Sequence, residues 1–450
     1  MSSSSFRAVW IGWLASGLLL GIAPWAGGPA PAEAARSAGP ERLSVEADPS
    51  DTTRVRVRLL ESIGPETVRV TPVGGTVHLR SERDGSPLLR IGAGDTVTLG
   101  VRGDELAVRW STRGLYTPDL LLDPDPGVSW KLAWTDGSRD RARTYEGPLF
   151  VQPDPKEASR LQLVNASPLE SYVASVVAAE YGFDDLEGAK AMAVVARTYA
   201  LKAADKFDGR YDHVDHTASQ VYRGTSAITG VARRAARETR GEVVTYNDTL
   251  IEAVYFSSSG GHTADNEDVW DADGSLPYLR GKRDPYDRNS PHHRWTTRID
   301  RSSLLRALEE RLDGSVRGFV IGERSEGRRV KNIDILRPDG SRQSMQANAF
   351  RLLVNRAVPG AEMKSTWFDA RREGDAYVLD GRGFGHGVGL SQWGAHEMSQ
   401  RGKSYRDILS FYYDDIRVQR LDGVKVAPTL PPVAKEASDD PERGGGRIGW

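Results

Sequence analysis

One carboxylate of this chain sits where charge is poorly tolerated. In "LESYVASVVAAEYG", residues 169–182, Leu169, Tyr172, Val173, Val176 and Val177 repeat at the spacing of one helix face, and Glu180 continues that stripe. The spacing predicts a helix that ends near Glu180, with Gly182 as its stop. A carboxylate in the last turn meets the negative end of the helix macrodipole, at a cost of about 0.3–1 kcal/mol. An apolar face also strips its water. Both effects disfavour the ionised form and raise the pKa. A carboxyl that keeps its proton near neutrality is suited to general acid work. The plain structural alternative is a glutamate that turns to solvent or pairs with Lys190 or Arg197.

Arg197 falls in the middle of an apolar helical stretch, with Lys190 seven residues earlier on the same face. A guanidinium there needs a partner. Glu180, a bound anion or another carboxylate would each serve. "YFSSSGGHTADNEDVW", residues 255–270, puts Ser258 and Ser259 in a small-residue loop that lets backbone approach a ligand. It lacks the spacing of a hydrolase nucleophile elbow. In "GRGFGHGVGLSQWGA", residues 381–395, glycines alternate at 381, 383, 385, 387 and 389, with His386 between two of them. The nucleotide-binding spacings fail, because His386 and Val388 interrupt one and no lysine supplies the other. What remains is a loop of little bulk that offers one imidazole, with Ser391 and Gln392 at the next helix start; tight packing is the alternative. His213 and His216 are three apart and His292 and His293 adjacent, but the first pair lies in a polar loop and no metal site is expected.

The elements that must position these residues can be read from periodicity. Residues 53–155 alternate in short runs such as "TRVRVRLL", "ETVRVTPV" and "WKLAWTDG" and predict a β-rich region. "RTYEGPLFVQ" and "LQLVNA" read as two further strands. Then the period changes from two to 3.6. Ser167-Pro168-Leu169-Glu170 reads as a capping box ahead of the Glu180 helix. A second helix, apolar on most sides, is expected from about Leu186 to Lys206. "GEVVTYNDTLIEAVYFSSSGG" returns to strand. "SSLLRALEERL" is an amphipathic helix, "KNIDILRPDGSRQSMQ" a hairpin, and residues 376–402 a strand, a glycine loop and a helix. The fold class is α+β, with a mixed core over 156–422 that contains a buried helix pair and the glycine-rich loop 381–394.

The ends read differently. Arg7, an apolar run from Val9 to Ala23 and Ala32-Glu33-Ala34 make residues 1–34 a signal peptide, cleaved near Ala34, with a retained anchor as the alternative. Residues 35–52 are a linker, and 423–450, rich in Pro, Asp and Gly, a disordered tail. The formal net charge of −2 gives no nucleic-acid footprint. With no cysteine, the chain has no thiolate nucleophile and no cysteine-based zinc site.

Taken together, "LESYVASVVAAEY", "GAKAMAVVARTYAL", "SQVYRG", "TRGEVVTYNDTLIEAVYFSSSGG", "EDVW", "PYLRG" and "GRGFGHGVGLSQWGAHEMSQRGKSYRDILSFYY" resemble the SpoIID/LytB family, in order, over about residues 53–418. The resemblance implies a peptidoglycan lytic transglycosylase. Such an enzyme cuts between N-acetylmuramic acid (MurNAc) and N-acetylglucosamine (GlcNAc) in strands stripped of stem peptides and leaves 1,6-anhydro-MurNAc ends. It implies Glu180 as the catalytic residue, since the glutamate that ends the family's "VVAxE" helix falls there. The arginine of the family's "VAARTYA" falls on Arg197, expected to order the site or to meet the lactyl carboxylate. Gln220, Ser258, Ser259, His386 and Gln392 are then expected to hydrogen-bond the sugars. Some members carry a Cys/His zinc pattern just before "QVY"; "DHVDHTASQVY" does not have it, so no metal and no other cofactor is expected. Since the family also contains amidase enhancers, a non-catalytic peptidoglycan-binding partner of an N-acetylmuramoyl-L-alanine amidase is the alternative. Expected partners are glycan strands and a cell-wall amidase; the expected location is the cell wall.

Overall fold

Alternation of apolar and polar residues after Thr53 builds two packed β-sheets in the computed structural model, which describes residues 53–202, 207, 209–270 and 274–421. One sheet has seven strands, in the order His213–Val214, Arg54–Leu59, Leu161–Pro168, Leu149–Pro153, Leu120–Pro124, Val77–Arg80 and Pro87–Ile91. The other has six: Arg139–Glu146, Ser129–Asp136, Thr67–Val73, Val97–Arg102, Glu105–Trp110 and Arg113–Thr117. Inward residues such as Val70, Leu99, Leu122, Trp130 and Leu163 fill the space between them. The stretch "RTYEGPLFVQ" divides between the two sheets at Gly147, whose φ of 79° makes the turn.

The expected boundary at residue 155 does not separate two cores. Leu161–Pro168 lies between Arg54–Leu59 and Leu149–Pro153, so its register ties the β-rich region to the helix that begins at Leu169. Nearly every residue of that strand is buried, on both faces, and so the alternation that marks a half-exposed strand is absent.

Helix α1, Leu169–Glu180, continues directly from this strand, and α2, Leu186–Lys202, packs against it. The remainder of the α2 expected to Lys206 lies outside the described residues. The other helices are α3 (Gly230–Glu238), α4 (Arg301–Leu312), α5 (Ala347–Ala357), α6 (Gln392–Gln400) and α7 (Tyr405–Tyr412). Because α2 is apolar all round, it can sit at the centre of the helical layer, where α1, α3, α6 and α7 cover it. The expected capping box does not form. Pro168 takes the cap position without a side-chain bond, the Ser167 hydroxyl accepts from Tyr222 at 3.1 Å, and Glu170 is drawn to Arg197 instead.

A second core lies within residues 295–381. Trp295–Asp300, Ala376–Gly381 and Phe368–Glu373 form one three-stranded sheet, and Gly318–Ile321 with the expected hairpin, Asn332–Leu336 and Arg342–Gln346, forms another. Helices α4 and α5 close it over Ile299, Leu308, Phe319, Ile335, Phe350 and Leu379. The chain then re-enters the first core through the glycine loop. It pairs Leu390–Ser391 in parallel with Tyr255–Phe256 and starts α6. The architecture is α+β. The expected signal peptide, linker and tail lie outside the described residues.

Candidate active site

Helix α1 buries Leu169, Tyr172, Val173, Val176 and Val177 and brings Glu180 to its end half-buried, as the stripe requires. Burial raises the Glu180 pKa; a bond from the Val221 backbone, the Tyr255 hydroxyl and the charge of Arg223 pull the other way without cancelling it. The Val221 N–H donates to Oε1 at 2.8 Å. Tyr255 is itself buried, which keeps its phenol protonated and so a donor towards the carboxylate. No second carboxylate among the described residues perturbs Glu180.

A buried relay fixes the Tyr255 hydroxyl. Tyr172 donates to Gln220 Oε1 at 3.1 Å, and Gln220 Nε2 donates to the Tyr255 oxygen at 3.4 Å. Gln392, the first residue of α6, donates from Nε2 to the Glu180 carbonyl at 3.0 Å. That carbonyl is one of the oxygens a helix end leaves without a helical partner. The α6 cap holds Gln392 in place, since the Ser391 hydroxyl accepts from the Gly394 N–H at 3.2 Å.

Several expected sugar contacts are placed elsewhere. Arg197 is fully buried, and its guanidinium meets Glu170 at 3.0 and 2.5 Å and the Glu242 carbonyl at 3.0 Å. It therefore joins α1 to α2 and has no open face for a ligand. Gln220 is buried within the tyrosine relay and acts on Glu180 through Tyr255. Ser258 and Ser259 are buried around Asp287: the Ser258 hydroxyl donates to its Oδ2 at 3.0 Å, and the N–H groups of Ser259 and Gly260 donate at 2.9 and 2.8 Å.

His386 is buried as well. Its Nε2 bonds the Tyr255 carbonyl at 2.9 Å, and its Nδ1 accepts from the Val388 N–H at 3.1 Å, which sets the tautomer. Burial takes its pKa down to about 3, so it stays neutral. The glycine loop is a packing device. A Cβ at Gly383 would stand 2.6 Å from the Ser258 carbonyl oxygen, and one at Gly389 2.1 Å from that of Val254. His213 and His216 diverge, to the Ala200 carbonyl at 3.0 Å and to Glu61 at 2.8 Å. Among the described residues no group of three or more His, Cys, Asp or Glu side chains is placed to hold a metal ion.

Three residues inside the quoted motifs, not singled out from the sequence, also bear on Glu180: Tyr255, Tyr172 and Arg223. The Arg223 N–H donates to the Ser175 hydroxyl of α1 at 3.1 Å, which draws the residue towards Glu180. A cavity of about 290 Å³ on the seven-stranded sheet, between Arg54, Phe150, Gln162 and Arg210, includes none of these residues.

The SpoIID family model, described as Stage II sporulation protein, matches residues 157–246, and a domain of unknown function matches 275–389. Stage II sporulation protein D of Bacillus subtilis (strain 168) is 32% identical over 335 residues, which is 68% of this chain and 93% of that protein. The chain belongs to the SpoIID family. Stage II sporulation protein D of Bacillus amyloliquefaciens is 30% identical over 57% of this chain and 75% of its own length. The amidase enhancer of Bacillus subtilis (strain 168) is 30% identical over 51% of this chain but only 37% of its own length. In this SpoIID-family protein the first match holds α1 to α3 with Glu180, Gln220 and Arg223. The second holds most of the second core and the glycine loop. Tyr255 and α6 lie outside both.

Proposed function

We propose that this SpoIID-family protein is an exported peptidoglycan lytic transglycosylase that cleaves the MurNAc–GlcNAc bond, with Glu180 as both acid and base. The observation that carries the reading is a desolvated carboxyl whose pKa burial raises, with no second carboxylate among the groups that shift it. An ordinary glycosidase needs two carboxyl groups, one on each side of the bond. Intramolecular transglycosylation needs one.

Protonated Glu180 gives its proton to the glycosidic oxygen as the bond from the MurNAc anomeric carbon breaks. The C6 hydroxyl of the same sugar bonds to that carbon and closes the 1,6-anhydro ring. Its proton passes to Glu180, which restores the acid. The nucleophile belongs to the substrate, so attack gains from proximity. Val221 and Tyr255 aim the carboxyl. Arg223, half-buried beside it, takes the role expected of Arg197 and faces the lactyl carboxylate. The reaction draws on no metal or cofactor.

The kinship with an amidase enhancer supports a second reading, in which the chain binds glycan and stimulates an amidase. Purified peptidoglycan, with and without stem peptides, is incubated with the protein alone and with a cell-wall amidase. Anhydro-MurNAc ends from the protein alone support cleavage; products only when the amidase is present support the enhancer. No helix among the described residues is long and apolar enough to cross a membrane. Export rests on the leader motif, and N-terminal sequencing of the wall-associated protein should find a chain beginning just after Ala34.

A further inference from the structure

Between Glu180 and α2 the chain makes a short turn whose side chains α6 grips. Asp185 anchors it, accepting from the Gly188 N–H at 3.0 Å, the Tyr181 hydroxyl at 3.0 Å and His396 Nδ1 at 2.6 Å. The Phe183 ring stacks on His396, with centroids 4.2 Å apart and planes 9° from parallel. The Trp393 ring meets Phe183 edge-on at 4.8 Å and 79°. All three rings remain half-exposed, although they pack firmly on one another. Together they form a rigid aromatic surface that the fold leaves open.

Its position gives it a use. Gln392, Trp393 and His396 belong to the first turns of one helix, and Gln392 touches the Glu180 carbonyl at 3.0 Å. Phe183 is three residues from Glu180, a chain reach of about 10 Å. The Trp393 N–H donates to the Ser257 carbonyl, two residues beyond the Tyr255 that faces Glu180. The rings therefore lie about the C-terminal end of α1, beside the backbone of Glu180, on both the turn and the helix. A pyranose ring offers a face of C–H bonds and a rim of hydroxyl and acetamido groups. Such a face stacks on an aromatic surface, while the rim seeks hydrogen bonds at its edge. His396 ties Nδ1 to Asp185, and its Nε2 makes no bond among the described residues.

We propose that Phe183, Trp393 and His396 form the sugar-stacking wall of the Glu180 site and hold the pyranose beside the bond to be cut. The wall binds an uncharged face of the glycan, whereas Arg223 meets its carboxylate. This rests on the reading of Glu180 as the cleaving residue, but binding tests it separately.

The experiment is calorimetric titration of the full chain with peptide-free oligosaccharides of alternating GlcNAc and MurNAc. It is done in the Glu180→Gln background, so that the ligand persists. Loss of one aromatic partner by Trp393→Ala or by Phe183→Leu should weaken binding about tenfold. Trp393→Phe should stay within about threefold of the parent. Thermal melts confirm folding, and if Trp393→Ala unfolds, Phe183→Leu and Trp393→Phe decide. Unchanged affinity in Trp393→Ala and Phe183→Leu, or no binding by the parent, overturns the proposal. If wild type binds through these rings yet cleaves nothing, the wall stands and the catalytic reading falls.

Discussion

The Tyr255 hydroxyl and the Val221 N–H both favour the ionised form of Glu180, and burial outweighs them. That balance makes the pH dependence of the reaction a property of single groups. In the proposed mechanism Glu180 must be protonated before substrate binds, so kcat/KM should fall as pH rises through its raised pKa. Tyr255→Phe removes one stabiliser of the carboxylate, which lifts that pKa further. Its alkaline limb should therefore lie at higher pH than the parent's, a shift read from full pH profiles of anhydro-MurNAc release. A limb that stays or moves down would detach Tyr255 from the acid. The place of Glu180 at the end of a buried helix face was legible in the sequence, because a helix face can be counted. Gln220, Ser258, Ser259 and His386 were not. A polar residue in a small-residue segment looks the same whether it meets a sugar or a buried backbone. What claims it comes from far along the chain, as Asp287 claims Ser258 from 29 residues away. Tyr255 and Arg223 were missed for the same reason, since their value lies in a neighbour that no local pattern reveals.

At the scale of elements, the alternating glycines answer a steric demand. Gly389 has φ of 77° and no room for a Cβ against the Val254 carbonyl, while Gly402 has φ of 75° and open space. Gly402→Ala therefore meets backbone strain alone and should cost about 1 kcal/mol. Gly389→Ala adds a backbone clash and should cost more than about 3 kcal/mol, measured by denaturant unfolding. Equal costs would mean that the loop is not held against the Tyr255 segment. The Glu170–Arg197 pair does similar work between α1 and α2. Glu170→Gln leaves a buried guanidinium without its counter-charge and should cost about 3 kcal/mol, while the folded fraction retains its cleavage rate. Cleavage lost with stability intact would return Arg197 to the substrate. Helices and the 332–346 hairpin were readable from period and turn chemistry. The capping box was not, because a buried arginine 27 residues away competes for Glu170 more strongly than the helix end does.

At the scale of the whole molecule, the described residues form two cores that the glycine loop joins against the Val254–Tyr255 segment. The first contains both β-sheets and the helices around α2; the second, within 295–381, returns the chain through the glycine loop. The α+β class was readable from the switch of period at residue 167. The sharing of one core by sheets and helices was not, because a strand buried on both faces carries no alternation. The proposed mechanism rests on one acid, and its most direct test is Glu180→Gln, studied by thermal melts and anhydro-MurNAc release on one preparation. The raised pKa means that the folded chain binds more protons than the unfolded one between the ordinary glutamate value, about 4.3, and the raised value. The contribution of Glu180 to stability is thus full below the ordinary value and is lost as pH rises through the folded one. The amide escapes that loss, so the variant should melt at or above the parent at neutral pH, with the gap closing in acid. It should still bind glycan, and cleavage should fall by about 10²–10⁴-fold or more, since one residue serves both proton transfers. Cleavage undiminished in a folded Glu180→Gln would contradict the account.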